Sequence, residues 1–246
     1  MSIEATDLSK YYGDIKAVDS LSLDIPHGTI YGFLGPNGAG KTTTMRLFTA
    51  LTEPTTGTAS IAGVPIHDRA ALTERIGYLP ADPPVFEELT GQEYLYYVAR
   101  LHELEREQIV ERLDSYIERF DLVEDIDRRI EGYSTGMRKK VGIIGAVIHN
   151  PEVLFLDEPT SGLDPRAART MRQMIGELAA RDMTVFLSTH ILPVVEELAD
   201  TIGVIHEGTL VAEASPAQLK NRVESEGESD LESAFLELTQ ERDVPT

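Results

Sequence analysis

The chain has 246 residues, a formal net charge of -20 at pH 7 and no cysteine. That length sits near the upper limit of one hydrophobic core, so one domain with an embedded subdomain is expected. Without cysteine, disulfides and thiolate metal sites are excluded, and six histidines with no close pair argue against structural zinc. The strong negative charge argues against general attraction to nucleic acid phosphates or anionic lipid. Six lysines against sixteen arginines fit an acidic, lysine-poor surface of the salt-adapted kind, and equally an ordinary acidic protein; loss of folding as salt is removed separates the two. No stretch approaches the ~18 uninterrupted apolar residues of a membrane span. The first residues, Met1 to Ala5, show neither a basic nor an apolar signal region. A cytoplasmic chain is expected.

In chain order, strand-like segments run from Leu21 to Ile25 and from Thr29 to Leu34. A Gly-rich loop then leads into a helix from Lys41 to Leu51. Further short strands are expected at Gly57 to Ile61 and Ile76 to Leu79. At Thr90 the pattern turns helical, because Thr90 can cap the amide of Glu93 while Glu93 reaches back. Leu95, Val98, Ala99 and Leu101 recur at helical spacing, a charged helix follows from Arg106 to Phe120, and helices continue to about Ile148. After Pro151 the chain re-enters a buried strand, Val153 to Leu156, then a helix from Pro165 to Arg181 and a strand from Thr184 to Ser188. This alternation predicts a parallel sheet. A hairpin around Glu207 and Gly208, a small helix at Ser215-Pro216, an acidic stretch from Glu224 to Asp230 and an amphipathic segment from Leu231 to Leu238 complete the chain.

The loop Gly35, Pro36, Asn37, Gly38, Ala39, Gly40, Lys41, Thr42 and Thr43 satisfies the Walker A pattern. There, backbone amides wrap phosphates, Lys41 meets β and γ oxygens, and Thr42 ligates magnesium. Bound ATP with Mg2+ is therefore expected. A second element, the apolar strand ending in Asp157 and Glu158, has the form of Walker B. Asp157 would hold the metal through its water shell, and Glu158 would act as general base on the attacking water. Its bland alternative is a solvated acidic turn.

Between these elements Tyr133, Ser134, Thr135, Gly136 and Met137 open a helix carrying Arg138, Lys139 and Lys140, which read as a basic face. Taken alone, the stretch is equally a plain capped helix. It resembles the signature motif of ATP-binding cassette (ABC) proteins, LSGGQ in its commonest form, with Ser134 and Gly136 in register. Ser161, Gly162, Leu163 and Asp164 are similar to the family's D-loop, and His190 to its switch histidine. The resemblance implies that Ser134 and Gly136 complete a γ-phosphate site across a head-to-tail dimer, that Asp164 lies in the loop coupling two sites, and that His190 contacts the γ-phosphate. It also implies adenine stacking by Tyr12, with Tyr11 the weaker candidate. Tyr133, Thr135 and Met137 depart from the commonest signature, and one expected residue of another motif is missing. Where the family has a Q-loop glutamine this chain has Ala81, followed by Asp82, and either Asp82 takes that role or the contact is absent. Pro83 to Phe86 and Tyr94, Tyr96 and Tyr97 lie where the family receives a membrane subunit's coupling helix; docking groove and core packing both remain open for them.

The fold implied is α/β: a RecA-like P-loop NTPase core with an antiparallel β subdomain and an inserted α-helical subdomain. As a single ABC ATPase domain, residues 1–81 and 151–214 would form the core with the β subdomain, 82–150 the helical subdomain with the signature, and 215–246 a C-terminal helical tail. The implied function is an ATP-hydrolysing subunit that powers a membrane transporter. The YSTGMRKK stretch and the segment Asp230 to Thr239 resemble the branch that exports drugs, lipids, polysaccharides or ions. Expected partners are a second ATP-binding subunit, as a homodimer, and integral membrane permease subunits, with no nucleic acid. The expected place is the cytoplasmic face of the cell membrane. The alternative is a soluble cassette ATPase of DNA repair or the ribosome, although such proteins usually carry a coiled-coil insertion or two cassettes, and no sustained heptads are present here. A nucleotide sensor without turnover is opposed by Glu158 and His190.

Overall fold

The computed structural model describes residues 1–221 and 231–240. The acidic stretch from Glu224 to Asp230 and the end of the expected C-terminal tail lie outside the described residues. Two sheets are laid down in an interleaved order. The chain begins with β1 (Ile3–Tyr12) and β2 (Ile15–Ile25), then crosses to β3 (Ile30–Leu34) and α1 (Lys41–Phe48). It returns through β4 (Thr56–Ile61) and β5 (Val64–Pro65), and passes α2 (Arg69–Arg75) into β6 (Ile76–Leu79). Strands β2, β1, β4 and β5 form a four-stranded antiparallel sheet in that order.

The helical stretch follows as α3 (Gly91–Leu101), α4 (Arg106–Arg119) and α5 (Thr135–Val147). Thr90 caps α3 by accepting from the Glu93 amide at 3.1 Å, and the Glu93 carboxylate accepts from the Thr90 amide at 2.9 Å. Then come β7 (Val153–Asp157), α6 (Pro165–Ala179), β8 (Thr184–Thr189), α7 (Leu192–Leu198), β9 (Thr201–His206), β10 (Thr209–Ala214), α8 (Pro216–Asn221) and α9 (Leu231–Gln240). The second sheet has the order β10-β9-β3-β8-β7-β6, parallel throughout except for the β10–β9 hairpin at its edge.

Strand period decides how this sheet is covered. Along β7, Val153 and Phe155 face one side, where Phe33, Phe48 and Phe186 gather beneath the antiparallel sheet. Leu154 and Leu156 face the other, packing with Ile143 and Ile144 of α5 and with Met171 and Ile175 of α6. Both faces are therefore apolar, as a parallel sheet requires. Phe186 ties the first side together, with ring centroids 5.2 Å from Phe33 and 5.5 Å from Phe48. Three helix ends fall short of the sequence expectation: α1 stops at Phe48, α4 at Arg119 and α6 at Ala179. In each, the first residue beyond the helix is its C-cap: Thr49, Phe120 and Ala180. Among the described residues no helix is long and apolar enough to cross a membrane.

Candidate functional site

The site lies at the C-terminal ends of the central parallel strands. β3, buried along all five residues, delivers the loop 35–40 to α1. Gly40 is the N-cap of α1 with φ 107°, and a Cβ there would stand 2.3 Å from the Ala17 carbonyl oxygen. Only glycine fits both the conformation and the gap. The loop closes on itself where the Ala39 amide donates to Pro36 O (3.2 Å), and it is pinned from outside where the Gly35 amide donates to Thr189 O (3.3 Å) and the Gly208 amide to Ala39 O (2.9 Å). Gly208 O in turn accepts from Asp19 of β2 at 2.8 Å, so the β9–β10 hairpin turn braces the loop against the antiparallel sheet. Asn37, Gly38 and Thr42 are exposed, Pro36 and Thr43 half-buried, and Ala39 buried.

Lys41 is buried, and its ammonium donates to Gly35 O (2.7 Å) and Pro36 O (3.1 Å). It also stands 3.4 Å from Glu158 Oε1. Beside it, Thr42 Oγ1 donates to Asp157 Oδ2 at 3.0 Å, while Ser188 of β8 donates to Asp157 Oδ1. Asp157 is 2% exposed, a carboxylate held dry only because both oxygens are bonded. Glu158 takes a left-handed backbone, φ 48°, which turns its side chain back over the strand ends. Its Oε2 accepts from Thr189 Oγ1 at 3.2 Å, and its Oε1 lies 2.9 Å from His190 Nδ1. Lys41 and Thr42 of the loop, Asp157, Glu158 and His190 thus gather in one cluster.

Lys139 corrects the sequence reading. It is no part of a basic surface: it is 2% exposed, and its ammonium donates to the carbonyls of Glu158 (2.7 Å) and Ser161 (2.8 Å). Burial pulls its pKa below the ordinary lysine value, against the raising effect of Glu158, Asp157 and Asp82. Its neighbours are committed as well, since Arg138 pairs with Glu87 at 2.7 Å and Lys140 donates to Phe120 O at 2.8 Å. Lys139, Ser188, Thr189 and Gly208 are the site residues that sequence reasoning missed. Two polar residues directly after the apolar run Val185 to Leu187, immediately before His190, were the available signal for Ser188 and Thr189.

The remaining candidates lie around this cluster. Ser134 caps α5, accepting from the Met137 amide at 3.3 Å, and Gly136 lies beside Leu163 and Ala167. Neither shares a hydrogen bond with the loop 35–43 among the described residues. Asp164 caps α6, its Oδ1 accepting from the Arg166 and Ala167 amides, both at 2.9 Å. Tyr11 spends its hydroxyl on Asp19 (2.8 Å), whereas the Tyr12 ring is 47% exposed with Lys10 Nζ 5.2 Å from its centre. Ala81 and Asp82 are both exposed after β6. Of the tyrosines, Tyr94 is buried while Tyr96 and Tyr97 are exposed.

The ABC transporter family model matches residues 18–161, more than half of the chain. The chain belongs to the ABC transporter family. The bacitracin transport ATP-binding protein BcrA of Bacillus licheniformis is 40% identical over 222 residues, 89% of this cassette and 72% of the relative. The Nod factor export ATP-binding protein I of Rhizobium meliloti is 36% identical over 217 residues, 88% of this cassette and 65% of the relative. A solved ATP-binding subunit of an ABC transporter superposes with a TM-score of 0.87 at 30% identity, covering 97% of this cassette and 99% of that chain. This cassette is an ATP-binding, ATP-hydrolysing subunit of a membrane transporter, built on the P-loop NTPase fold.

Proposed function

We propose that this cassette powers an exporter as a head-to-tail dimer seated against separate membrane-spanning subunits. The observation that carries the dimer is the division of the site. Ser134 and the amides at the start of α5 form a phosphate-binding helix end, but they share no hydrogen bond with the cluster around Lys41 and Glu158 among the described residues. A second copy turned head to tail would bring its Ser134 and Gly136 onto the γ-phosphate held by Gly35 to Thr43, with Asp164 of the D-loop between the two sites. The likeness to proteins named for bacitracin transport and Nod factor export supports the export direction.

Within one site the roles follow from position. The loop amides and Lys41 hold the β and γ phosphates, and the exposed Tyr12 ring offers a face to adenine. Thr42 Oγ1 and the Asp157 carboxylate are neighbouring hard-oxygen donors, a set suited to magnesium, and these two side chains would hold the ion. Bound there, the ion would neutralise charge on the phosphate oxygens. Glu158 accepts a proton from water as the water oxygen attacks the γ-phosphorus and the bond to ADP breaks, while His190 and Thr189 fix the carboxylate.

The membrane contact belongs to the α3 surface. Phe86 and Tyr97 are both about half exposed, with ring centroids 5.6 Å apart in an edge-to-face pair, and Tyr96 is exposed nearby. Such an aromatic edge suits an apolar helix from a permease subunit on the cytoplasmic face of the membrane. The test is gentle solubilisation of membranes and identification of what co-purifies with this chain. Membrane-spanning subunits are expected with it; recovery only from the soluble fraction, even with ATP present, would overturn the reading.

A further inference from the structure

Lys139 is the fifth residue of α5, the helix that Ser134 caps. Its side chain runs inward and ends on two carbonyls, Glu158 O at 2.7 Å and Ser161 O at 2.8 Å. Those oxygens bracket the turn from Walker B into the D-loop, itself closed by the Ser161 amide on Glu158 O at 3.2 Å. At its other end the Glu158 peptide is held by β8, its amide donating to Ser188 O at 3.0 Å. The left-handed backbone of Glu158 is thus clamped at N–H by a strand and at C=O by a lysine. A buried ammonium is a costly way to fill space, since an apolar side chain of similar length would pack there without desolvation. Its chemistry is what the position uses: three N–H donors on a long stem.

We propose that Lys139 is a positioning residue for ATP hydrolysis, holding the Glu158 backbone so that its carboxylate stays aimed over the phosphate loop, and tying that aim to the helix that carries Ser134 and Gly136. The proposal rests on the reading of Glu158 as general base. It makes Lys139, part of the same helix as Ser134 and Gly136 and hydrogen-bonded to the Glu158 carbonyl, the link between the half-site offered to a partner cassette and the base of the cassette's own site.

The test compares ATP hydrolysis by the full chain and its Lys139→Met, Lys139→Arg and Glu158→Gln variants. Lys139→Met keeps the stem and removes the donors; it should lower kcat by about tenfold or more, since misplacing a catalytic group by about an ångström costs that much. KM for ATP, and binding of a non-hydrolysable ATP analogue, should stay within about twofold, and Lys139→Arg should restore most of kcat. Combined with Glu158→Gln, Lys139→Met should add little further loss, because both act through one group. An unchanged kcat in Lys139→Met beside an inactive Glu158→Gln would overturn this proposal alone. Full turnover in Glu158→Gln would overturn the base assignment and this proposal with it. If Lys139→Met does not fold, Lys139→Gln takes its place: lowered kcat at unchanged KM supports the role, and wild-type kcat overturns it.

Discussion

His190 Nδ1 and Glu158 Oε1 stand 2.9 Å apart, joined across the ends of two neighbouring strands. Lys41 reaches the same carboxylate oxygen at 3.4 Å, and Thr189 holds the other. A carboxylate restrained by three groups is aimed, and aim is what a general base needs. Glu158→Gln should therefore lower kcat by about a hundredfold or more while retaining ATP-dependent dimers on gel filtration. His190→Ala removes one restraint and leaves the base, so its loss of kcat should be the smaller. Equal turnover in Glu158→Gln and wild type would remove Glu158 from the chemistry.

Thr42 and Asp157 meet at 3.0 Å, and Asp157 has its second oxygen on Ser188. If Thr42 ligates magnesium, Thr42→Ala should raise the Mg2+ concentration for half-maximal hydrolysis by roughly tenfold, the loss of one charge-assisted contact. Thr42→Ser keeps the hydroxyl and should stay near wild type. Titrating ATPase activity against Mg2+ at saturating ATP reads this directly; an unchanged half-saturation in Thr42→Ala would exclude it as a ligand.

We place Ala81 at the position of the family's Q-loop glutamine, and the neighbouring carboxylate of Asp82 acts on the charge of Lys139. Alanine has no side-chain oxygen for a metal or a water. Asp82→Ala is expected to slow hydrolysis several-fold, an effect of about 1 kcal/mol for one lost contact, whereas Ala81→Gly should change little. Parallel steady-state assays decide it, and equally small effects would show that no carboxylate substitutes for the glutamine.

What sequence discloses here divides by range. The Thr90 and Glu93 capping box, the loop from Gly35 to Thr43 and the Asp157-Glu158 strand end are set by neighbours in the chain, so their chemistry is legible locally. The first strand is harder, because register shifts between Ala5 and Leu8 and between Leu8 and Lys10 break the alternation that marks a strand. Lys139 is harder still. Its carbonyl partners lie 19 and 22 residues away, and beside Arg138 and Lys140 it reads as one more surface charge. Gly208 braces the phosphate loop only because β9 returns next to β3, a matter of topology.

His149 carries a consequence for acid stability. Its Nε2 meets Ile76 O at 2.9 Å, and its ring stacks on His102 with centroids 3.8 Å apart and planes 4° from parallel. Arg112, bonded to Ile148 O, adds positive charge alongside. Burial first, then His102 and Arg112, lower the His149 pKa from 6.5 to about 4, and burial lowers that of His102 as well. The folded state therefore prefers the neutral ring. Below pH 6.5 the unfolded chain binds the proton that the folded chain refuses, so stability is full above that pH and is lost as pH falls from 6.5 towards 4. Between pH 7 and pH 5 the His149 contribution amounts to about 2 kcal/mol. His149→Gln can still donate to Ile76 O and does not titrate in this range. Urea unfolding at the two pH values should show wild type losing more stability than His149→Gln by about that amount. Identical losses in both proteins would mean that acid destabilisation arises elsewhere.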